Sequence, residues 1–433
     1  MEAARRAGAD AADAVAVRSV ALSVEVRDGA VEESERSESD DFGLRVMVGR
    51  RQAVVSSNDL QEATIATLAE RAVAMARVAP DDPYAGLAAP DDLAREFPDL
   101  DLLDPVLPTV ERLEQLAHEA EAAGLAVAGV AKSAGASAAA GIGGMVLATS
   151  HGFRGAYLGS HHSVSMTAIA GEGTGMERDY DFTSAPHAAD LESPAKIGER
   201  AGERAVRRLK PRKVTTHRVP VVFDPRVAGS LVGHLAGAVN GAAVARGTSF
   251  LKDKLGEQVF GAGIRIVDDP LRVRGLRSRP FDAEGVAGAR LALVEGGRLR
   301  SWVLDTGTAR ELGLRTTGHA SRGVSSVPSP SATNLYLEAS SKSREALIGD
   351  IVDGFYVTDL IGSGASIVTG DYSRGAAGFW IENGALSYAV SEVTIAGHLT
   401  DMFRSLEPAD DLVFRYGVNS PTVRVEGLTV AGL

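Results

Sequence analysis

Apolar residues recur with a period of two near the start of the chain. Val20, Leu22, Val24 and Val26 share one face of a strand predicted over residues 18–26. Asp28-Gly29 suits a tight hairpin turn, and residues 31–39 return as a polar, edge-like strand. A second hairpin is predicted from 43–48 and 52–56, turning about Gly49-Arg50-Arg51. Asp59 is placed to cap the next helix, with Glu62 three residues on as the partner of a capping box. Leu60, Thr64, Leu68, Ala72 and Met75 are expected on the inner face of that helix, which should end near Arg77.

Residues 79–108 are rich in Pro and Asp and read as a linker-like loop. The period then lengthens. Val110, Leu113, Ala117 and Ala120 mark the inner face of a helix over 109–123. Residues 125–169 read as several short strands broken by glycines. Ser193-Pro194 opens a helix to about Leu209, and Asp224-Pro225 opens another. Val227, Leu231, Leu235 and Val239 lie on one drifting face of the latter. Beyond Thr248 the pattern is strand-like and turn-rich, with strands expected at 302–304, 334–338, 354–360 and 379–381. The fold class is α+β. Small antiparallel sheets with covering helices are expected over 1–212. A β-rich, barrel- or sandwich-like part is expected over 213–433, with one conspicuous helix near 224–243.

Composition narrows the chemistry. The 433 residues contain no cysteine, which excludes disulfides, thiolate metal ligands and a Cys nucleophile. The formal net charge of −12 disfavours direct contact with nucleic acid. The one long uncharged stretch, 133–150, is built from Ala, Gly and Ser and lacks the content of a membrane span. Met1 to Asp10 leads into no apolar secretory segment. A soluble, cytoplasmic protein is the expectation.

Few residues stand out as chemistry. His161-His162 would point to opposite faces of a strand and could not chelate one metal. Gly141-Ile142-Gly143-Gly144 lacks the Lys-Ser/Thr of a phosphate loop. No G-x-S-x-G string frames a Ser nucleophile. His234 sits alone on the 224–243 helix, with no second His or carboxylate between Asp224 and Lys252. The densest local signal is Gly370 to Trp380, three glycines and two alanines around Asp371, Ser373 and Arg374. It suits close backbone approach, either to a bound strand or peptide or to an internal packing corner.

That last segment also carries a family resemblance. Together with 149–153 (TSHGF), 175–180 (GMERDY), 280–285 (PFDAEG), 317–320 (TGHA) and 390–397 (VSEVTIAG), it resembles the TldD/PmbA family, in its PmbA/TldE-like branch. Members were described as modulators of DNA gyrase and are regarded as metalloproteases. The resemblance implies an α+β N-terminal half, a β-rich C-terminal half and assembly with a TldD-like subunit that carries the metal, zinc by expectation. The pair would act on unfolded peptides, without direct contact with nucleic acid or membrane. The catalytic branch carries His-Glu, three residues, then His on the helix that matches Asp224 to Ala243. Anchored on Arg246 to Ser249, those positions are Val232, Gly233 and Gly237. With His234 taken as first ligand they are His234, Leu235 and Val239, which fails equally. The resemblance therefore implies a subunit with no metal and no cofactor of its own. Its contacts with peptide or partner are expected at Gly370, Asp371, Ser373, Arg374 and Gly375. Two rival readings stand beside it. One is a self-sufficient hydrolase using His234, His319 or Asp371 with Ser373. The other is a homodimeric peptide-binding or assembly protein.

Overall fold

The computed structural model describes residues 1–432. A short helix, α1 (Glu2–Arg6), leads into one antiparallel sheet. Its strands are β1 (Ala11–Arg27), β2 (Ala30–Val48), β3 (Arg51–Ser57), β4 (Val130–Thr149), β5 (Arg154–Ala170) and β6 (Glu177–Ala185), in the order β3-β2-β1-β4-β5-β6. The strands are longer than the sequence pattern suggested. The segments expected at 31–39 and 43–48 form a single strand, and 130–170 forms two long strands rather than several short ones. Glycines do not interrupt β4, because neighbours fill their space. A Cβ on Gly144 would lie 2.3 Å from Leu158 Cδ2.

The first hairpin turns at Asp28 (φ 52°) and Gly29 (φ 75°), as expected. Glu121, buried on the helix above, accepts both of their N–H groups at 2.9 Å. Helices α2 (Glu62–Val78), α3 (Val110–Leu125) and α4 (Pro194–Arg207) cover the sheet. Strand alternation puts Ala12, Leu22, Val24 and Val26 of β1 on one face. There α1 and α2 pack near one end, and α3 and α4 near the other. Val15 and Val17 point the opposite way, into a cluster with Phe153 and Phe281.

Two local expectations for α2 are corrected. Asp59 accepts from Gln61 N and Thr64 Oγ1 but lies upstream of the true N-cap, Gln61, so Glu62 is the first helical residue and no capping box forms. The inner face is Ala69, Ala72, Val73 and Ala76, while Leu60 and Met75 are exposed. The small side chains let α2 lie close on Leu44, Val46 and Val55.

The C-terminal half contains two sheets. Five long strands are β7 (His217–Phe223), β14 (Asp353–Ile361), β15 (Asp371–Glu382), β16 (Ala385–His398) and β19 (Val423–Ala431). They pair in the order β16-β15-β14-β7-β19, and β19 pairs back onto β16. The ring is thus a closed five-stranded barrel, with β17 (Glu407–Pro408) on the outer part of β19. A second sheet joins short strands β8 (Ile266–Asp268), β9 (Leu291–Glu295), β10 (Arg298–Leu299), β13 (Leu335–Leu337) and β18 (Val418–Asn419). A two-stranded pair, β11 (Ala320–Ser321) with β12 (Ser329–Pro330), completes it. Residues 302–304, expected as a strand, make only a single bridge, Val303 to Asn240. Their side chains are nonetheless buried in the main core, which explains the apolar signal. Among the described residues, no helix is long and apolar enough to cross a membrane.

Candidate functional site

The helix that opens at Asp224-Pro225 is α5 (Pro225–Ala238). The Asp224 carboxylate accepts from Arg226 N at 3.0 Å, and Pro225 occupies the first position, where no N–H is needed. The helix stops earlier than 243. Asn240 caps a separate turn, α6 (Gly241–Ala245), by accepting from Ala242 N at 3.0 Å. Leu231, Val232, Leu235 and Ala238 are buried, and all four join the large core shared with the barrel strands.

This packing decides where the degenerate motif positions lie. Val232 points into the core. At Gly233 an added Cβ would meet nothing within 4 Å, whereas at Gly237 it would lie 3.3 Å from Ile367 Cγ2. None of the three carries a nitrogen, oxygen or sulfur donor, and zinc requires such donors. Among the described residues there is no group of three or more His, Asp or Glu side chains that could hold a metal. The side chains on α5 therefore do not fit a metal centre.

His234 does meet other polar groups. Its ring lies 5.9 Å from the Tyr372 ring in an edge-on arrangement. Burial, and then the Arg374 charge, push the imidazole down to about 4, so it is neutral near pH 7. His234 Nε2, Tyr372 Oη and Arg374 Nε are all buried without a hydrogen-bond partner. Burial also holds the Tyr372 phenol up at about 12. The sequence marked His234 and Arg374 as separate features. It gave no sign that Tyr372 would lie beside His234, because an aromatic residue in a strand reads as core.

The Gly370–Gly375 segment is not a free edge. Asp371 to Ala376 pairs with β16, and Gly375 onward pairs with β14. The remaining side is closed by the 362–366 loop: Ser373 N donates to Gly364 O at 2.6 Å, and Ser366 N donates to Asp371 O at 2.9 Å. Gly364 has to be glycine, because a Cβ there would sit 1.7 Å from Ser373 O. The glycine-rich composition thus serves an internal corner, and no backbone groups remain there for an added substrate strand. Asp371 and Ser373 are exposed on one face of β15, while Tyr372 is buried on the other. Asp371 Oδ2 accepts from Thr369 Oγ1 at 2.6 Å.

The other three histidines singled out by the sequence, His319, His161 and His162, do not come together as a site. His319 is fully buried, its Nε2 3.0 Å from Asp268 Oδ1 and its Nδ1 2.7 Å from Thr317 O. It cannot reach a substrate. His161 is exposed and His162 buried, the opposite facing expected of neighbours on a strand. Gly141 to Gly144 lies within β4, far from any helix N-terminus that could cradle a phosphate.

Comparison with known proteins adds to this geometry. Three consecutive family models match the chain: PmbA/TldA metallopeptidase domain 1 over residues 12–76, the central domain over 103–209 and the C-terminal domain over 216–432. The chain belongs to the PmbA/TldD metallopeptidase family. It is 38% identical to the metalloprotease PmbA of Escherichia coli O157:H7 over 98% of this chain and 92% of that protein. It is 37% identical to a PmbA homologue of Haemophilus influenzae over 100% and 94%. The fold is similar to that of a Bacteroides thetaiotaomicron protein described as a candidate modulator of DNA gyrase, with a TM-score of 0.92 and 27% identity over 100% of this chain and 97% of that one. It also matches TldE of Thermococcus kodakarensis, with a TM-score of 0.89 and 20% identity over 99% and 98%.

Proposed function

We propose that this chain is the metal-free, PmbA/TldE-type subunit of a two-subunit metalloprotease acting on unfolded peptides in the cytoplasm. The observation that carries the reading is α5, where Val232, Gly233 and Gly237 occupy the motif positions with no metal donor among them. A TldD-like partner would supply the metal, zinc by its donor chemistry, and the water-activating carboxylate. This chain would cover the partner's site and help to hold the peptide. Asp371, Ser373 and Arg374 would make those contacts through side chains, since the backbone from Gly370 to Gly375 is already paired. The charge of −12 speaks against DNA as the ligand, so a link to gyrase would run through a peptide.

The test is purification of the chain alone and co-expressed with a TldD-like protein from the same source, followed by metal analysis and cleavage of an unfolded peptide. Zinc and activity are expected only in the co-purified complex, with one metal per heteromer. Stoichiometric zinc and cleavage by the chain alone would overturn the reading. Absence of any complex would instead favour a homodimeric binding protein.

A further inference from the structure

The joint between the two halves buries a cluster of charged side chains. Residues 280–287 form the turn by which the C-terminal half reaches the N-terminal sheet. Phe281 packs there with Val15, Leu147 and Phe153. Gly285 O accepts from Ala94 N at 2.8 Å, which ties the turn to the 79–108 loop. Glu284 sits in this turn and is only 4% exposed.

The charged groups around Glu284 come from both halves. Arg45 approaches from β2, with Nη2 4.0 Å from Glu284 Oε1. Asp13 of β1 is bound to the same Arg45 and to Arg322, which follows β11. Asp282 lies two residues away in the turn, and Asp305 caps α7 (Thr306–Glu311). Both act on Glu284 as like charges. Arg279 acts on Asp282 as an opposite charge. Four carboxylates thus stand against three guanidinium groups.

The carboxylates are not equally supplied with donors. Asp13 has its two arginines. Asp282 accepts from the N–H groups of Glu284, Val286 and Ala320, each at 2.9 Å. Asp305 accepts from Thr308 N at 2.8 Å and from Thr308 Oγ1 at 2.6 Å. Glu284 accepts from Thr306 N at 2.7 Å, and Arg45 stands beyond hydrogen-bond reach of its other oxygen. A buried carboxylate stays ionised through the donors and cations it touches, so the acid with the fewest keeps its proton.

We propose that Glu284 carries a proton at neutral pH and acts as a pH-sensitive latch, its ionisation loosening the joint between the two halves. With Glu284 neutral, three carboxylates meet three guanidinium groups. Ionisation places a further negative charge beside Asp282 and Asp305 where water is excluded, while Arg45 is already engaged by Asp13. Burial, and then the Asp282 charge, push the Glu284 carboxyl up to about 8 from the usual 4.5. The unfolded chain gives up this proton near pH 4.5 and the folded chain near pH 8. The stability it lends is full below pH 4.5, falls as pH rises and is gone above pH 8. The inference concerns this chain alone and does not depend on a protease partner.

The test is urea denaturation of the full chain from pH 6.5 to 9.5, for the wild type and for Glu284→Gln, which copies the neutral acid. This range lies above the pH window in which His234 titrates. In the wild type the folding constant should fall by up to about tenfold per pH unit as far as pH 8 and then level off. In Glu284→Gln that fall should be absent. Hydrogen exchange, corrected for the intrinsic effect of pH, locates the change. Residues 280–287 and 44–48 should lose protection at pH 9 in the wild type and keep it in the variant. Infrared spectra of the wild type alone should show the carbonyl band of a protonated carboxylic acid at pH 7 and its loss by pH 9. A fall of equal slope in both proteins, protection unchanged between pH 6.5 and 9, or no such band at pH 7 would overturn the proposal.

Discussion

At the scale of single residues, α5 carries two positions whose surroundings make direct predictions. Gly233 is the clearest case. Its surroundings are empty and its helical backbone suits any L residue, so Gly233→Ala should stabilise the chain by about 0.5–1 kcal/mol through helix propensity. A rise in the urea midpoint with unchanged slope would show it. His234 makes a second prediction. Its folded pKa, about 4, lies below the usual histidine value of 6.5. The unfolded chain therefore takes up a proton first as pH falls through 6.5, and the folded state loses relative stability until about pH 4. His234→Leu should flatten the dependence of stability on pH across that window. A wild-type slope retained in the variant would show that other groups cause it.

Among whole elements, the contact between α3 and α4 is set by glycine. A Cβ on Gly198 would lie 1.9 Å from Ala120 O, closer than any real contact. Gly198→Ala should force the helices apart and destabilise the chain by about 1–3 kcal/mol, measurable by denaturant melts. The sequence pattern placed α3, α4 and the start of α5 well, because their caps and apolar periods are local. It misjudged α2's inner face by favouring large side chains, where close packing on β2 and β3 selected alanines. It also cut β4 and β5 into pieces, since a glycine that ends one strand and a glycine that admits a neighbour look alike in sequence. The same ambiguity affected Gly370 to Gly375. Their composition signalled close backbone approach correctly, but the approaching backbone is the chain's own 362–366 loop. One unpaired edge is the outer side of β2 over residues 30–41, where β3 does not reach. Its run of Glu, Ser and Asp discourages strand addition, so self-association through that edge is not expected.

The two halves of the molecule are joined by charge as well as by apolar packing. Asp13 of β1 is buried and held by Arg45 Nε at 2.8 Å and by Arg322 from the C-terminal half. Glu284 lies 4.0 Å from Arg45 and accepts from Thr306 N at 2.7 Å. Asp13→Ala would leave two buried guanidinium groups without their shared carboxylate. A loss of about 3–5 kcal/mol is expected, with both halves melting together at a lower temperature. A shift of only one calorimetric transition would show that the halves fold independently. Burial and the neighbouring Asp282 raise Glu284 to about 8. Of the two acids in the string from Pro280 to Gly285, Asp282 accepts from Glu284 N, Val286 N and Ala320 N within the C-terminal half, and Glu284 alone reaches across to Arg45.

By itself, the sequence determined the α+β class, the positions of the capped helices, the family and the lack of a side-chain donor at Val232, Gly233 and Gly237. These follow from residue identity and short-range order, which need no tertiary contact. The structure alone decided that the C-terminal strands close into a barrel and that Tyr372 lies edge-on to His234. It alone showed the Gly370 segment paired on both sides. Strand partners and shared cavities depend on residues far apart in the chain, and no local pattern records which of them will meet.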